Sequence, residues 1–200
     1  MAVHSALSHR RFPLYFYSTA LKKTFFLFFV LGGVVSGIER ILRRETFGDP
    51  YDYSDFVIST LFGGALGWIS YYLIAYFLSI AGDLMKGKAS DRDYRTVIAW
   101  SLVPTILSLF IIIPQFLIYG AGSSSFDFDV YFDSENLLLS AFIIIRAILG
   151  IWFLVILVKG IAYIQEFSIG KAILNIFIPF LLIFGIVLAF ITLINIAEII

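Results

Sequence analysis

Arg146 stands nearly midway along the apolar run 137–158, in the stretch AFIIIRAILG. A charge at such a depth in hydrocarbon costs at least about 2.5 kcal/mol unless it is paired. The sequence places no acid at matching depth within an apolar run, so the expected partners are freed backbone carbonyls or the phosphate of a bound lipid. Prolines free carbonyls. Each removes one helical hydrogen bond and presses on the carbonyl four residues back. Pro104, Pro114 and Pro179 should therefore kink their helices and release the carbonyls of Trp100, Phe110 and Asn175. Arg146, Trp100 and Asn175 form a candidate intramembrane polar site. Its chemistry would be passage of a polar solute, as in a small transporter or channel, not bond-making.

Other chemistries lack their residues. The two histidines, His4 and His9, both sit near the start of the chain, and there is no cysteine. That removes His-Glu-x-x-His and cysteine-cluster metal sites, thiolate catalysis and disulfides. No glycine-rich phosphate loop follows a strand pattern. Ser123 to Ser125 have no histidine or lysine base nearby in sequence. Asp127, Asp129, Asp133 and Glu135 are spaced so that they could hold a divalent ion, but they lack the EF-hand pattern and read better as a solvated acidic loop. No enzyme activity, cofactor or metal is expected.

The elements that carry these residues follow from composition. Hydrophobic residues make up 60% of the 200 and charged residues 14%, against about half and about a quarter in soluble proteins. Mean hydropathy is +0.98. A soluble core of this size could not enclose so much apolar surface, whereas a bilayer accepts it. Five apolar runs come near the roughly 20 residues a span needs: 24–38 (extending to 42), 56–82, 97–119, 137–158 and 172–197. None alternates polar and apolar residues as a barrel strand would. The fold class is thus an all-α membrane protein of five transmembrane helices, with a segment 1–23 before a membrane domain 24–200. With the N-terminus inside, ten basic residues fall on inner segments and three (Arg40, Arg43, Arg44) on outer ones. The positive-inside rule then gives a cytoplasmic N-terminus and an outside C-terminus. The first run is short; if it re-entered instead of spanning, the N-terminus would move outside. The formal net charge of zero gives no nucleic-acid signature.

The inner loops, 83–96 and 159–171, are basic. Lys86, Lys88, Arg92, Arg95, Lys159 and Lys171 are candidates for binding partner proteins or membrane lipids with anionic headgroups. Gly33 and Gly37, and Ser59, Gly63 and Gly67, form two small-residue stripes that let helices approach closely. They would serve internal packing or a homo-oligomer. The stretch RRFPLYFYSTALKK, residues 10–23, reads as an interfacial helix with Pro13 in its first turn. YRTVIAWSLVP, 94–104, and IGKAILNIFIP, 169–179, each place a proline ten residues after an inner boundary. An acid–aromatic pair precedes both, Asp93-Tyr94 and Glu166-Phe167. These matches suggest a parallel repeat of spans two–three and four–five.

FGGALGWISYYLIAYFLSIAGDLMKGKASDRDYRTVIAWSLVP resembles the core of bacterial proteins with the Yip1 domain, with a Gly-Lys loop leading to an Ala-Trp-Ser run closed by proline. GIWFLVILVKGIAYIQEFSIGKAILNIFIPF resembles the family's second block, with its Gln-x-Phe-Ser turn, Lys-Ala pair, Asn and Pro. LGGVVSGIERILRRETFGD resembles its first span and exit. Together they cover most of 31–180. The resemblance implies five spans, a cytoplasmic N-terminus and a multi-pass place in the bacterial cytoplasmic membrane. Eukaryotic relatives act in vesicle traffic and contact small GTPases, often through long N-terminal regions that only about twenty residues would replace here. The family supplies no catalytic residues.

Overall fold

In a computed structural model, residues 19–46, 53–119 and 137–199 are described. Among them the chain is helical apart from short turns, and no strand occurs. The helices are α1 (Thr19–Thr46), α2 (Tyr53–Leu84), α3 (Asp91–Leu107), α4 (Leu109–Tyr119), α5 (Leu137–Gln165) and α6 (Ile169–Ile199). Thr24–Ile41, Phe56–Leu84, Asp91–Tyr119 and Leu137–Gln165 are each long and apolar enough to cross a membrane, and within α6 the described residues Ile169–Leu182 form a further apolar stretch. With α3 and α4 forming one path, this matches the expected five helices. At 1.5 Å per residue α1 is about 42 Å long, against about 30 Å of hydrocarbon. The first segment is therefore long enough to cross, and it does not turn back. Residues 19–23, the last of the segment expected as an interfacial helix at 10–23, form the first turn of α1. The rest of that expectation, and the acidic run 127–135, lie outside the described residues.

The helices outrun the apolar runs at the end of the molecule that carries residues 85–90 and 166–168, here called the turn face. Arg92 and Arg95 lie in α3, Lys159 in α5 and Lys171 in α6, so the true turns are much shorter than 83–96 and 159–171. Capping sets these ends, not charge. Just past the ends of α2 and α5 stands a left-handed residue, Lys86 (φ 61°) and Glu166 (φ 55°). The amides that follow, Gly87 and Phe167, donate to the carbonyls of Gly82 and Ala162 at 2.8 and 2.9 Å. This is the Schellman closure, with a charged residue where glycine is usual. A serine then opens each next helix. The Asp93 carboxylate accepts from both the amide and the hydroxyl of Ser90, at 2.9 and 2.8 Å, and the amide of Ala172 donates to the Ser168 carbonyl at 3.0 Å. The two turns share this local design. Their acid–aromatic pairs do not correspond, however, since Asp93-Tyr94 lies within α3 and Glu166-Phe167 in the turn itself.

α3 is the central helix and packs against α1, α2 and α5. Its residues Tyr94, Val97, Ile98, Ala99, Ser101, Leu102 and Pro104 are buried. α2 and α5 instead expose large apolar side chains such as Leu61, Phe62, Ile148 and Leu154, a surface suited to lipid. The closest helix contact joins α1 to α2. A Cβ built on Gly33 would lie 2.2 Å from the Gly63 carbonyl oxygen and 2.7 Å from Gly67 Cα; one on Gly37 would lie 2.5 Å from the Ser59 carbonyl oxygen. Both small-residue stripes are thus spent on each other inside the chain.

Pro104 lies inside α3, Pro114 inside α4 and Pro179 inside α6. Helix is interrupted at Ser108, between Pro104 and Pro114, where the Ser108 hydroxyl donates to the Thr105 carbonyl at 2.6 Å. The backbone bonds on either side persist, from the Ser108 amide to the Pro104 carbonyl at 3.0 Å and from the Ile112 amide to the Ser108 carbonyl at 2.8 Å, so α3 and α4 stay in one path. α6 carries Pro179 in its interior, with no break in the helix there.

Candidate functional site

Three side chains that are almost completely withdrawn from solvent, Tyr94, Gln165 and Asn175, meet beneath the turn face. The Gln165 amide Nε2 donates to the Tyr94 hydroxyl at 2.6 Å. That hydroxyl donates to Asn175 Oδ1 at 3.0 Å. Asn175 Nδ2 donates to the Leu78 carbonyl at 3.2 Å. Gln165 Oε1 accepts the amide of Ala89 at 3.0 Å. The chain of bonds joins the first turn, α5, α3, α6 and α2 in a single path. Buried polar groups are costly unless bonded, and a fully satisfied network fixes one arrangement.

Two glycines make room for it. A Cβ on Gly82 would lie 2.3 Å from Gln165 Nε2, and one on Gly87 would lie 1.9 Å from Gln165 Oε1. Apolar packing surrounds the hub, with Ala75, Leu78, Ala89, Ile98, Leu157, Ile161 and Ala172 buried beside it. Outside it, the Lys88 ammonium and the Glu166 carboxylate pair across the two turns. The result is a cap in which both turns are held as one unit.

The sequence-derived basic residues divide here. Lys88 is paired with Glu166. Arg95 donates to the Asp91 carboxylate and lies 4.9 Å from the Tyr72 ring centroid. Lys171 lies 5.9 Å from the Phe167 ring centroid. Lys86, Arg92 and Lys159 are exposed.

Arg146, Trp100 and Asn175 do not converge. Asn175 belongs to the hub. Trp100 is exposed and packs edge-on against Phe28 of α1. Arg146 lies toward the opposite end of the bundle, where Nη2 donates to Glu39 Oε1 at 3.1 Å and Nη1 reaches Gln115 Oε1 at 3.4 Å. The partner is thus a carboxylate and an amide, in place of the expected freed carbonyls or lipid phosphate. Glu39 escaped notice because it lies near the end of a short first run; α1 and α5 run in a geometry that brings it level with Arg146. The pair is three-quarters buried, with side-chain exposures of 19% and 29%. Removing one partner strands the other charge. Arg146→Leu should lower stability by about 2 kcal/mol, less than for a fully buried pair. Arg146→Leu with Glu39→Leu should recover most of the loss in a detergent unfolding titration. A double variant as weak as the single one would count against the pairing.

Gln165 and Tyr94 were not singled out in the sequence as site residues. Gln165 lay within the quoted Gln-x-Phe-Ser turn, and its signal was a glutamine ending an apolar run while glycines flank Asp83 and Lys88 elsewhere. Among the described residues no cluster of three or more His, Cys, Asp or Glu side chains could hold a metal. No curated protein and no solved structure matches this chain. A family model described as the Yip1 domain matches residues 15–191.

Proposed function

The chain belongs to the Yip1 domain family, and from that membership and the geometry of the hub we propose that it is a non-enzymatic protein that organises membrane partners or lipids through its turn face. Family and apolar helices together make it an integral membrane protein. The basic residues of the turn face favour a cytoplasmic placement of that face, and with it a cytoplasmic N-terminus in a bacterial inner membrane. The observation that carries the reading is the hub itself. Tyr94, Gln165 and Asn175 spend buried hydrogen bonds on fixing the relative position of two short, charged turns. A fixed charged surface suits recognition. The three residues that the sequence offered for a transport path, Trp100, Asn175 and Arg146, lie apart, and Arg146 is instead paired with Glu39 beside Gln115.

The test is purification of the full chain in a gentle detergent, with identification of the proteins and lipids that accompany it. The wild type should retain a reproducible set of companions, and Tyr94→Phe, which breaks the hub while leaving the exposed rim unchanged, should retain fewer. Identical companions for both would contradict a role for the fixed cap. Robust solute flux in vesicles, abolished by Arg146→Leu, would favour the transport reading instead.

A further inference from the structure

The basic residues of the turn face become unequal once the acids are placed. Asp91 is bound by Arg95, Glu166 by Lys88, and Asp93 by the amide and hydroxyl of Ser90. Those carboxylates hold the chain's own turns and helix starts. Lys86, Lys159 and Lys171 are exposed, and among the described residues no carboxylate pairs with any of them. Asp83 is the remaining exposed acid on this face, three residues before Lys86. The fold thus spends acids on itself and leaves three ammonium groups without a carboxylate, one of them, Lys171, resting near the Phe167 ring.

Position indicates what that is. Lys159 lies six residues before the end of α5, about 9 Å back along the helix from the turn. Gly160 beside it is packed on Val97 of α3, well below the Ser90 cap. Tyr163, one helical turn from Lys159, is exposed, and so are Ile169 and Ile173 on either side of Lys171. Lysines beside exposed apolar and tyrosine side chains, with no carboxylate on their heads, are placed as interfacial residues are in a bilayer. A soluble acidic protein could reach Lys86 at the tip, but Lys159 is set back toward the apolar surface. We infer that Lys86, Lys159 and Lys171 hold the phosphate groups of anionic phospholipids in the leaflet on the turn-face side. The inference rests on the turn face being the working surface, and it names the ligand.

The full chain is reconstituted in phosphatidylcholine vesicles with a trace of spin-labelled phosphatidylglycerol or spin-labelled phosphatidylcholine, and the motionally restricted fraction of each label is compared. The wild type should prefer phosphatidylglycerol several-fold at low salt and less at high salt. K86Q/K159Q/K171Q should bring the preference near unity. K88Q/R95Q removes the same kind of charge from paired positions and should keep most of it. All substituted groups are at least partly exposed, and circular dichroism with a single elution peak confirms folding. An unchanged preference in the triple variant overturns the inference, as does an equal loss in K88Q/R95Q. A companion protein lost from the triple variant while its lipid preference persists would also overturn it, yet leave the organising role standing. A wild type with neither lipid preference nor companions would remove that role as well.

Discussion

Gly33→Ala should destabilise the protein by about 3 kcal/mol or more, the upper range for forcing atoms into a filled interface. The added methyl would meet the Gly63 carbonyl oxygen at 2.2 Å and Gly67 Cα at 2.7 Å. Both obstacles are backbone, so no rotamer change relieves them and α1 must move away from α2. That movement also disturbs the Phe29 contacts with Tyr71 and Tyr72 nearby. Gly150→Ala is the matched control, because nothing lies within 4 Å of a Cβ there. It should be neutral or gain up to about 1 kcal/mol from helix propensity. Thermal unfolding in detergent compares the two. Equal behaviour would mean that the helices do not touch at Gly33.

Gln165→Ala should cost about 3 kcal/mol and loosen the cap. It removes the acceptor of the buried Ala89 amide and the donor to the Tyr94 hydroxyl. An unsatisfied buried group costs about 1–3 kcal/mol, and the truncation also leaves space beside Gly82 and Gly87. Hydrogen exchange gives a local readout: the Ala89 amide should exchange much faster, while amides in the middle of α5 should change little. Tyr94→Phe combined with Gln165→Ala should be less harmful than the sum of the two single changes, because they share one network. Unaltered exchange at Ala89 would show that Gln165 does not hold the turn.

Lys88→Gln serves as a contrast to both. Its pair with Glu166 is largely exposed, at 69% and 66%, and such pairs contribute about 0–1 kcal/mol. The turns are held by the buried amide hub and only decorated by the ion pair, so stability should hardly change.

Several features were legible because they depend on local composition. Apolar runs near the length of a bilayer specify helices, since backbone groups in hydrocarbon must bond within their own segment. The stripes Gly33, Gly37 and Ser59, Gly63, Gly67 announced a close helix contact, because small residues at four-residue spacing share one helix face. The glycines could not say whether they would meet each other or another chain; the α1–α2 crossing answers that. Helix ends were less legible. Apolar runs mark where hydrocarbon begins, whereas the helices continue until a left-handed residue and a serine cap satisfy their last groups. Lys86 and Glu166 carry no sign of a positive φ in their residue type.

What the sequence determined by itself was the number and character of the membrane-length helical runs, the charged end and the presence of two small-residue stripes, because periodicity and hydropathy act over neighbouring residues. The tertiary structure alone decided which polar groups meet. Asn175 left its presumed partners for Tyr94, Gln165 and the Leu78 carbonyl, and Arg146 found Glu39, which lies 107 residues away in the chain. Hydrogen bonds and ion pairs act over about 3 Å, and helices distant in sequence come that close only through the packing of the whole bundle.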